Sequence, residues 1–399
     1  MNRDITNDAT QPELSQFYRS TLLDDVIPFW LRYGLDREHG GIFTALNRDG
    51  SLLDTDKSVW FQGRAGWMFS TLCHHFGTRS EWLEAARSCV EFSLNHCHSP
   101  EGKMWFSVTR EGLPLRMRRY AFSESFAAIS YAAFAEISQE SRHADAAISA
   151  WETFLRYNFE PGVMTPKYEA TRPMKGIGPL MIGIVTAQEL RLHLGEISVR
   201  GKTCSEWISA FITEIERDFF KPDLGALMET VAPDGSILDH LEGRTLNPGH
   251  AIEAAWFIMN EGRHRTDHAL ITLGTRILDC MWQRGWDQEH GGLLYFTDLH
   301  HKPVQEYWHD MKFWWPHCEA IIATMLAWKL TGEPRYAAMH RQVHEWSFAH
   351  FPDPQHGEWF GYLHRDGRIS QHAKGNMFKG PFHLPRMLLL CHLELEAYP

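Results

Sequence analysis

Two histidines, His250 and His383, each follow a turn containing Pro or Gly and open a stretch whose later residues are apolar. An imidazole takes and gives a proton near neutral pH. A pair of them could strip a proton from one face of a carbon acid and return one to the opposite face. Arg64 adds a permanent cation with a planar fork of donors, the kind of group that steadies an enolate oxygen. Glu319 could position an imidazole or a hydroxyl. Glu253 stands three residues after His250, on the same helix face, where it could hold or charge that ring. Trp314 and Trp315 form a candidate platform for a ring with one apolar face. Gln62, Glu124 and Asn247 are further polar candidates for contact with a substrate.

Taken singly, each has a plainer explanation. A lone His at a helix start is more often a cap or a core residue. A first-turn Glu is favoured by the helix dipole alone, and neighbouring Trp residues commonly fill a core. What favours a site is phase. The segments 54–64, 121–126, 173–181, 247–256, 311–319 and 378–386 each open a helical stretch at the same point of an internal repeat.

That repeat is carried by turns. DREHGGIFT at 36–44 is echoed by DQEHGGLLYFT at 287–297 and DPQHGEWFGY at 353–362, with weaker echoes at 99–106, 160–164 and 223–228. One glycine from each gives Gly40, Gly102, Gly162, Gly225, Gly291 and Gly357, in steps of 62, 60, 63, 66 and 66 residues. Each turn carries a short alternating apolar stretch that predicts a small hairpin. Two stretches with apolar residues at helical spacing follow it. The pattern predicts helices over 11–32, 56–76, 81–96, 123–138, 143–157 and 178–194. It continues with 205–219, 249–261, 265–283, 312–330, 335–350 and 383–397. Twelve helices in six pairs point to an all-α (α/α)6 barrel with short β-hairpins in its loops, formed by one domain over 1–399 after a polar tail of about ten residues. An open solenoid is the alternative, although its units are usually shorter. In a closed barrel, equivalent phases lie at one end, so the six segments surround one pocket.

Composition narrows the partners. A formal charge of −11 argues against nucleic acid and anionic membrane. No apolar run is long enough to span a bilayer, and the N-terminus lacks the apolar core of a signal peptide. Seven scattered Cys without a CxxC pair read as reduced thiols of a cytoplasmic protein. Among 24 His, the clusters His74-His75, His96-Cys97-His98 and His300-His301 lack zinc-site spacing and read as surface or packing residues, so no metal is expected. Lys175-Gly176-Ile177-Gly178 matches a phosphate loop only loosely. The 16 Trp are a surplus that suits a sugar-binding cleft, though most should fill the core.

The stretches GGIFTALNRDG, VWFQGRAGWM, FSESF, NPGHAIEAAWF, GWDQEHGGLLYF, MKFWWPHCEA, DPQHGEWFGYLHRDG and FKGPFHLPR closely resemble the N-acylglucosamine 2-epimerase family, the renin-binding protein type. The likeness runs from about 36 to 388 and is weaker around 160–205. It implies an (α/α)6 barrel that interconverts N-acetylglucosamine and N-acetylmannosamine. Family catalytic positions fall on Arg64, His250, Glu319 and His383. The resemblance also implies a homodimer, and ATP as an activator that is not consumed. The residues suit the chemistry: once the ring opens to the aldehyde, the C2 proton is acidic enough for a base near neutral pH if the enolate is stabilised. Neither a metal nor a redox cofactor is required.

Three alternatives remain at this level. The substrate could be an unacylated sugar of the mannose, glucose or cellobiose type, epimerised or isomerised. The barrel could be a glycoside hydrolase using two of Glu124, Glu253, Glu319 and Asp310. It could also bind without catalysis. Deuterium exchange at C2, release of reducing ends, or inertness toward amino sugars would tell them apart.

Overall fold

Helices of two kinds alternate along the chain. In the computed structural model, which describes residue 5 and residues 10–396, α1 (Gln11–Ser20), α3 (Ser80–His96), α5 (Ser141–Phe159), α7 (Cys204–Glu214), α9 (His268–Gly285) and α11 (Pro334–His350) alternate with a second set. That set is α2 (Val59–Phe76), α4 (Ser123–Ser138), α6 (Gly178–Leu194), α8 (Pro248–Arg265), α10 (Trp314–Thr331) and α12 (His383–Glu396). The first set is amphipathic. In α5 only a stripe of His143, Ala147, Ala150, Trp151, Phe154 and Leu155 is buried. The second set is buried all round: every residue of α10 from Trp314 to Ala327 is inside. A helix with no solvent face belongs in the centre, so the even-numbered helices form an inner ring and the odd-numbered ones its sheath.

Successive inner helices pack side by side from α2 to α12. The ring closes where Phe76 of α2 stacks on His392 of α12, with centroids 5.6 Å apart. α1 and α7 end in π-helical turns, Thr21–Val26 with Trp30–Gly34, and Ile215–Phe219, where regular helices are expected from the sequence. Of the expected polar tail, residues 1–4 and 6–9 lie outside the described residues. Ile5 is fully buried and its carbonyl accepts from Gln11 Nε2 at 3.0 Å.

All six repeat glycines have positive φ, from 55° at Gly225 to 84° at Gly102. Only glycine adopts that region without strain, which accounts for its recurrence. Antiparallel pairing closes five of the six turns: Leu35 with Ile42, His98 with Met104, Trp286 with Leu293, Pro352 with Trp359, and Phe220–Lys221 with Ala226–Leu227. The turn around Gly162 has no such pairing.

The strands before α2, α6, α8 and α10 are then stitched to the hairpins that follow their outer partners. Lys57–Ser58 pairs with Ser107–Val108, Lys312–Phe313 with Tyr362–Leu363, and Gly375 bridges to Leu46 across the ring closure. Buried ion pairs lock these joints. Asp36 takes Lys57 and Arg110, Asp287 takes Lys312 and Arg365, and Asp353 takes Lys374 and Arg48, at 2.7–3.1 Å. A buried lysine needs a partner of this kind. Lys57 and Lys312 each stand two residues before an inner helix, so the clamps fix where those helices begin.

Candidate active site

The inner helices begin around a cavity of about 210 Å³. α2 contributes Trp60, Arg64 and Trp67, and α8 contributes His250 and Glu253. Trp314 and Trp315 come from α10, and His383 and Arg386 from α12. The Trp315 ring lies 5.1 Å from the His250 ring and 5.7 Å from the His383 ring, bridging the two imidazoles.

His383 Nδ1 is 2.7 Å from Glu319 Oε1. Glu319 also accepts from Trp256 Nε1 at 2.8 Å and lies 2.7 Å from Arg386. An acceptor engaged in this way requires the His383 Nδ1 to carry its proton, which leaves the Nε2 lone pair free as a base. Burial, with the Arg386 and Arg64 guanidiniums nearby, holds this imidazole well below its ordinary value. Glu319 is fully buried behind His383 and does not line the cavity.

His250 is placed differently. Its backbone N–H is capped by Asn247 Oδ1 at 3.1 Å, and its Nδ1 faces both oxygens of Glu229 at 3.1 Å. Burial pulls this imidazole down, but the charge and hydrogen bond of Glu229, helped by Glu253, outweigh it and leave the pKa raised. The two histidines therefore shift in opposite directions.

Arg64 donates to the Phe378 carbonyl at 3.2 Å and packs over Phe126 at 4.2 Å. Its Nε has no partner, and burial lowers its pKa to about 9. A desolvated cation without a direct carboxylate is suited to an oxyanion. Arg386, by contrast, is paired with Glu253 at 2.6 Å as well as with Glu319. Glu253, Glu319 and His383 converge closely enough to hold a cation, and the Arg386 guanidinium sits among them.

Three candidates face elsewhere. Gln62 clasps Ile42, its Oε1 accepting from the Ile42 N–H at 2.8 Å and its Nε2 donating to the Ile42 carbonyl at 2.9 Å, and in the fifth repeat His317 Nε2 accepts from the Leu293 N–H at 2.9 Å. Glu124 accepts from the Met104 N–H at 2.7 Å, and burial pushes its carboxyl up to about 7. Asn247 is the cap of α8. These three secure hairpins and a helix start rather than lining the cavity. Glu253 also differs from expectation, since Glu229 holds the His250 ring and Glu253 holds Arg386.

Sequence reasoning missed Arg386, Glu229, Glu189, Tyr295 and Phe378. Arg386 was within reach, being three residues after His383 on the same face. Glu229 comes from a hairpin turn, where no helical period points to it.

Residues 41–379 match the family described as N-acylglucosamine 2-epimerase (GlcNAc 2-epimerase). The N-acylglucosamine 2-epimerase of Mus musculus is 36% identical over 387 residues, covering 94% of this chain and 90% of that protein. The chain belongs to this family. The Homo sapiens N-acylglucosamine 2-epimerase is 34% identical, covering 94% of this chain and 88% of that protein. Among solved structures, a cellobiose 2-epimerase from Bacillus thermoamylovorans matches with a TM-score of 0.82 at 16% identity, covering 96% of this chain and 99% of that one. That is a likeness of fold. As a member of the N-acylglucosamine 2-epimerase family, the protein is an isomerase. Its cavity brings together Arg64, His250 and His383, with Glu319 behind His383. No helix among the described residues is long and apolar enough to cross a membrane.

Proposed function

We propose that the protein interconverts N-acetyl-D-glucosamine and N-acetyl-D-mannosamine by moving the C2 proton between His383 and His250. The observation that carries this reading is the opposed electrostatics of two imidazoles on one cavity. Groups pushed apart in this way sort into base and acid. On the open-chain aldehyde, His383 Nε2 removes the C2 proton. The electron pair moves toward O1, and Arg64 steadies the enolate. His250 then delivers a proton to the other face, and the ring recloses. In the reverse direction the roles exchange, so the pair must carry one proton in either direction. Glu319 and Glu229 each hold an Nδ1 and so fix which nitrogen reacts.

The mouse and human relatives favour an N-acylated sugar over an unacylated one. A hydrolase would need two carboxylates facing across a bond, whereas Glu253 and Glu319 are both tied to Arg386. The route consumes no cofactor, and ATP enters only as an activator, which turnover with and without it checks. A homodimer belongs to the same reading, as does a cytoplasmic location, which the seven free cysteines support.

Proton NMR of the protein with N-acetylmannosamine in heavy water tests the function. Signals of N-acetylglucosamine carrying deuterium at C2 are expected. Absence of both the new epimer and C2 exchange, or appearance of a ketose, would contradict it.

A further inference from the structure

The sixth repeat departs from the first and fifth at two positions that meet. Gly41 and Gly292, the second glycines of their turns, have φ of 73° and 70°. Each leaves room for the residue five places after the clamp lysine. A Cβ at Gly41 would collide with Gln62 Oε1, and one at Gly292 with His317 Nε2. In the sixth repeat Glu358 takes the glycine's place, with φ of 55°. A glutamate in the left-handed region stores backbone strain, and such strain concentrates at functional sites. Among the described residues, the other non-glycine residues with positive φ, Gln139, Arg200, Thr266 and His301, are exposed, whereas Glu358 is buried. The fifth residue after the clamp lysine Lys374 is Lys379, also buried, and its ammonium pairs with the Glu358 carboxylate.

What this pair holds is an unwound helix start. α2 begins two residues after Lys57 and α10 two after Lys312, but α12 begins nine after Lys374. A helix begun two residues after Lys374 would carry Pro381 in its second turn, where proline removes a hydrogen bond and clashes with the preceding turn. In the unwound stretch the Phe378 carbonyl is free of helical bonding, and it accepts from Arg64 at 3.2 Å. The stretch is pinned on every side. Asn376 Oδ1 accepts from the N–H groups of Phe378 and Lys379 at 3.0 Å, and Lys379 Nζ donates to the Lys374 carbonyl at 3.1 Å. Asp25 takes the Glu358 N–H at 3.0 Å. Lys379 is therefore next in sequence to the residue that holds Arg64, and four before His383. We propose that Glu358 is a positioning residue of the reaction: through Lys379 it fixes the Phe378 carbonyl, which aims the remaining donors of Arg64 at the enolate oxygen. Glu358 does not line the cavity. This rests on the function proposed above and adds a residue that acts from outside the site.

The test measures kcat and KM for N-acetylmannosamine in Glu358→Asp and Glu358→Gln. Asp keeps the charge and tolerates a left-handed backbone better than Glu, but its carboxylate falls one methylene short of Lys379. Gln keeps the length and removes the charge. A misplacement of about 1 Å costs on the order of 10² in rate, so kcat should fall about 10- to 100-fold in both variants. KM should stay within about twofold, because an interaction made only in the transition state leaves it unchanged. In an Arg64→Lys background, read by C2 deuterium exchange, the same substitutions should cost less than about twofold, since the group they aim is gone. Equal losses in both backgrounds, or a loss confined to KM, would mark a general loosening and overturn the proposal. So would a Glu358→Asp variant with wild-type kcat, which spares the epimerase reading. Should Glu358→Gln fold poorly, kcat and KM of Glu358→Asp still decide. A wild type inert toward N-acetylmannosamine overturns both readings.

Discussion

The imidazoles of His250 and His383 are the same chemical group, and their neighbours make them different. Glu229 stabilises the charged form of one, while burial beside two guanidiniums suppresses it in the other. A pair that must hold a single proton is then active over a broad plateau. Its acid limb comes from the second proton reaching His383, well below the ordinary imidazole range. Its alkaline limb comes from His250 losing its proton, at a pH raised from the ordinary imidazole value by the Glu229 carboxylate. Glu229→Gln removes the charge that raises His250, so the alkaline limb of kcat/KM should move to lower pH while the acid limb stays. The loss on the plateau should be well under the ~10²–10⁴ expected for deleting the imidazole itself. A pH–rate profile of the variant checks this, and an unmoved alkaline limb would take the proton assignment away from His250. The aim of individual side chains is also where sequence reading reached its limit. Gln62 and Arg64 are two residues apart on one helix, about 200° around its axis. One therefore points out to a hairpin and the other into the cavity. Sequence spacing shows that difference but not which of the two faces inward.

Among the helices and hairpins, the turns carry more of the design than their length suggests. Their glycines were readable because a left-handed backbone restricts the residue type, and the six positions keep nearly constant spacing. The clamps were not readable, because each joins an Asp, a Lys and an Arg from separate turns through space. Asp287 is the clearest case, with Lys312 and Arg365 both on it and Lys312 already pushed down to about 8 by burial. Asp287→Asn leaves that lysine without its carboxylate and should destabilise the fold by about 3–5 kcal/mol, measured by urea unfolding at pH 7. The Asp287 carboxyl is held far below its usual value of 3.8, because Arg365 and Lys312 outweigh the burial that would raise it. Its contribution is therefore complete above pH 3.8 and is lost as pH falls from there toward the folded value. Stability of the variant should depend less on pH in that range. Equal stability of wild type and variant at pH 7 would reduce the clamp to a surface-grade ion pair.

Across the complete ring, six units place six helix starts at one end, and this much follows from period and phase in the sequence. The departures have physical causes. The turn around Gly162 lacks the antiparallel pairing of its five counterparts, in the region where the family likeness is weakest. The π-helical turn in α1 brings Asp25 to the last repeat, where it accepts from the Glu358 N–H at 3.0 Å. No local pattern announces a contact between residues so far apart in sequence. What the closed ring achieves is to hold two histidines from the fourth and sixth units on either side of one indole. The central claim is that they act on opposite faces of C2. Its most direct test is loss of the C2 proton signal in heavy water, measured for both N-acetylhexosamine epimers with His250→Asn and His383→Asn, each first shown to bind the sugar. Each variant should exchange the C2 proton of one epimer without converting it, and the two variants should prefer opposite epimers. If one variant exchanged both epimers and the other neither, or if neither exchanged a sugar that it binds, the two-histidine account would be contradicted.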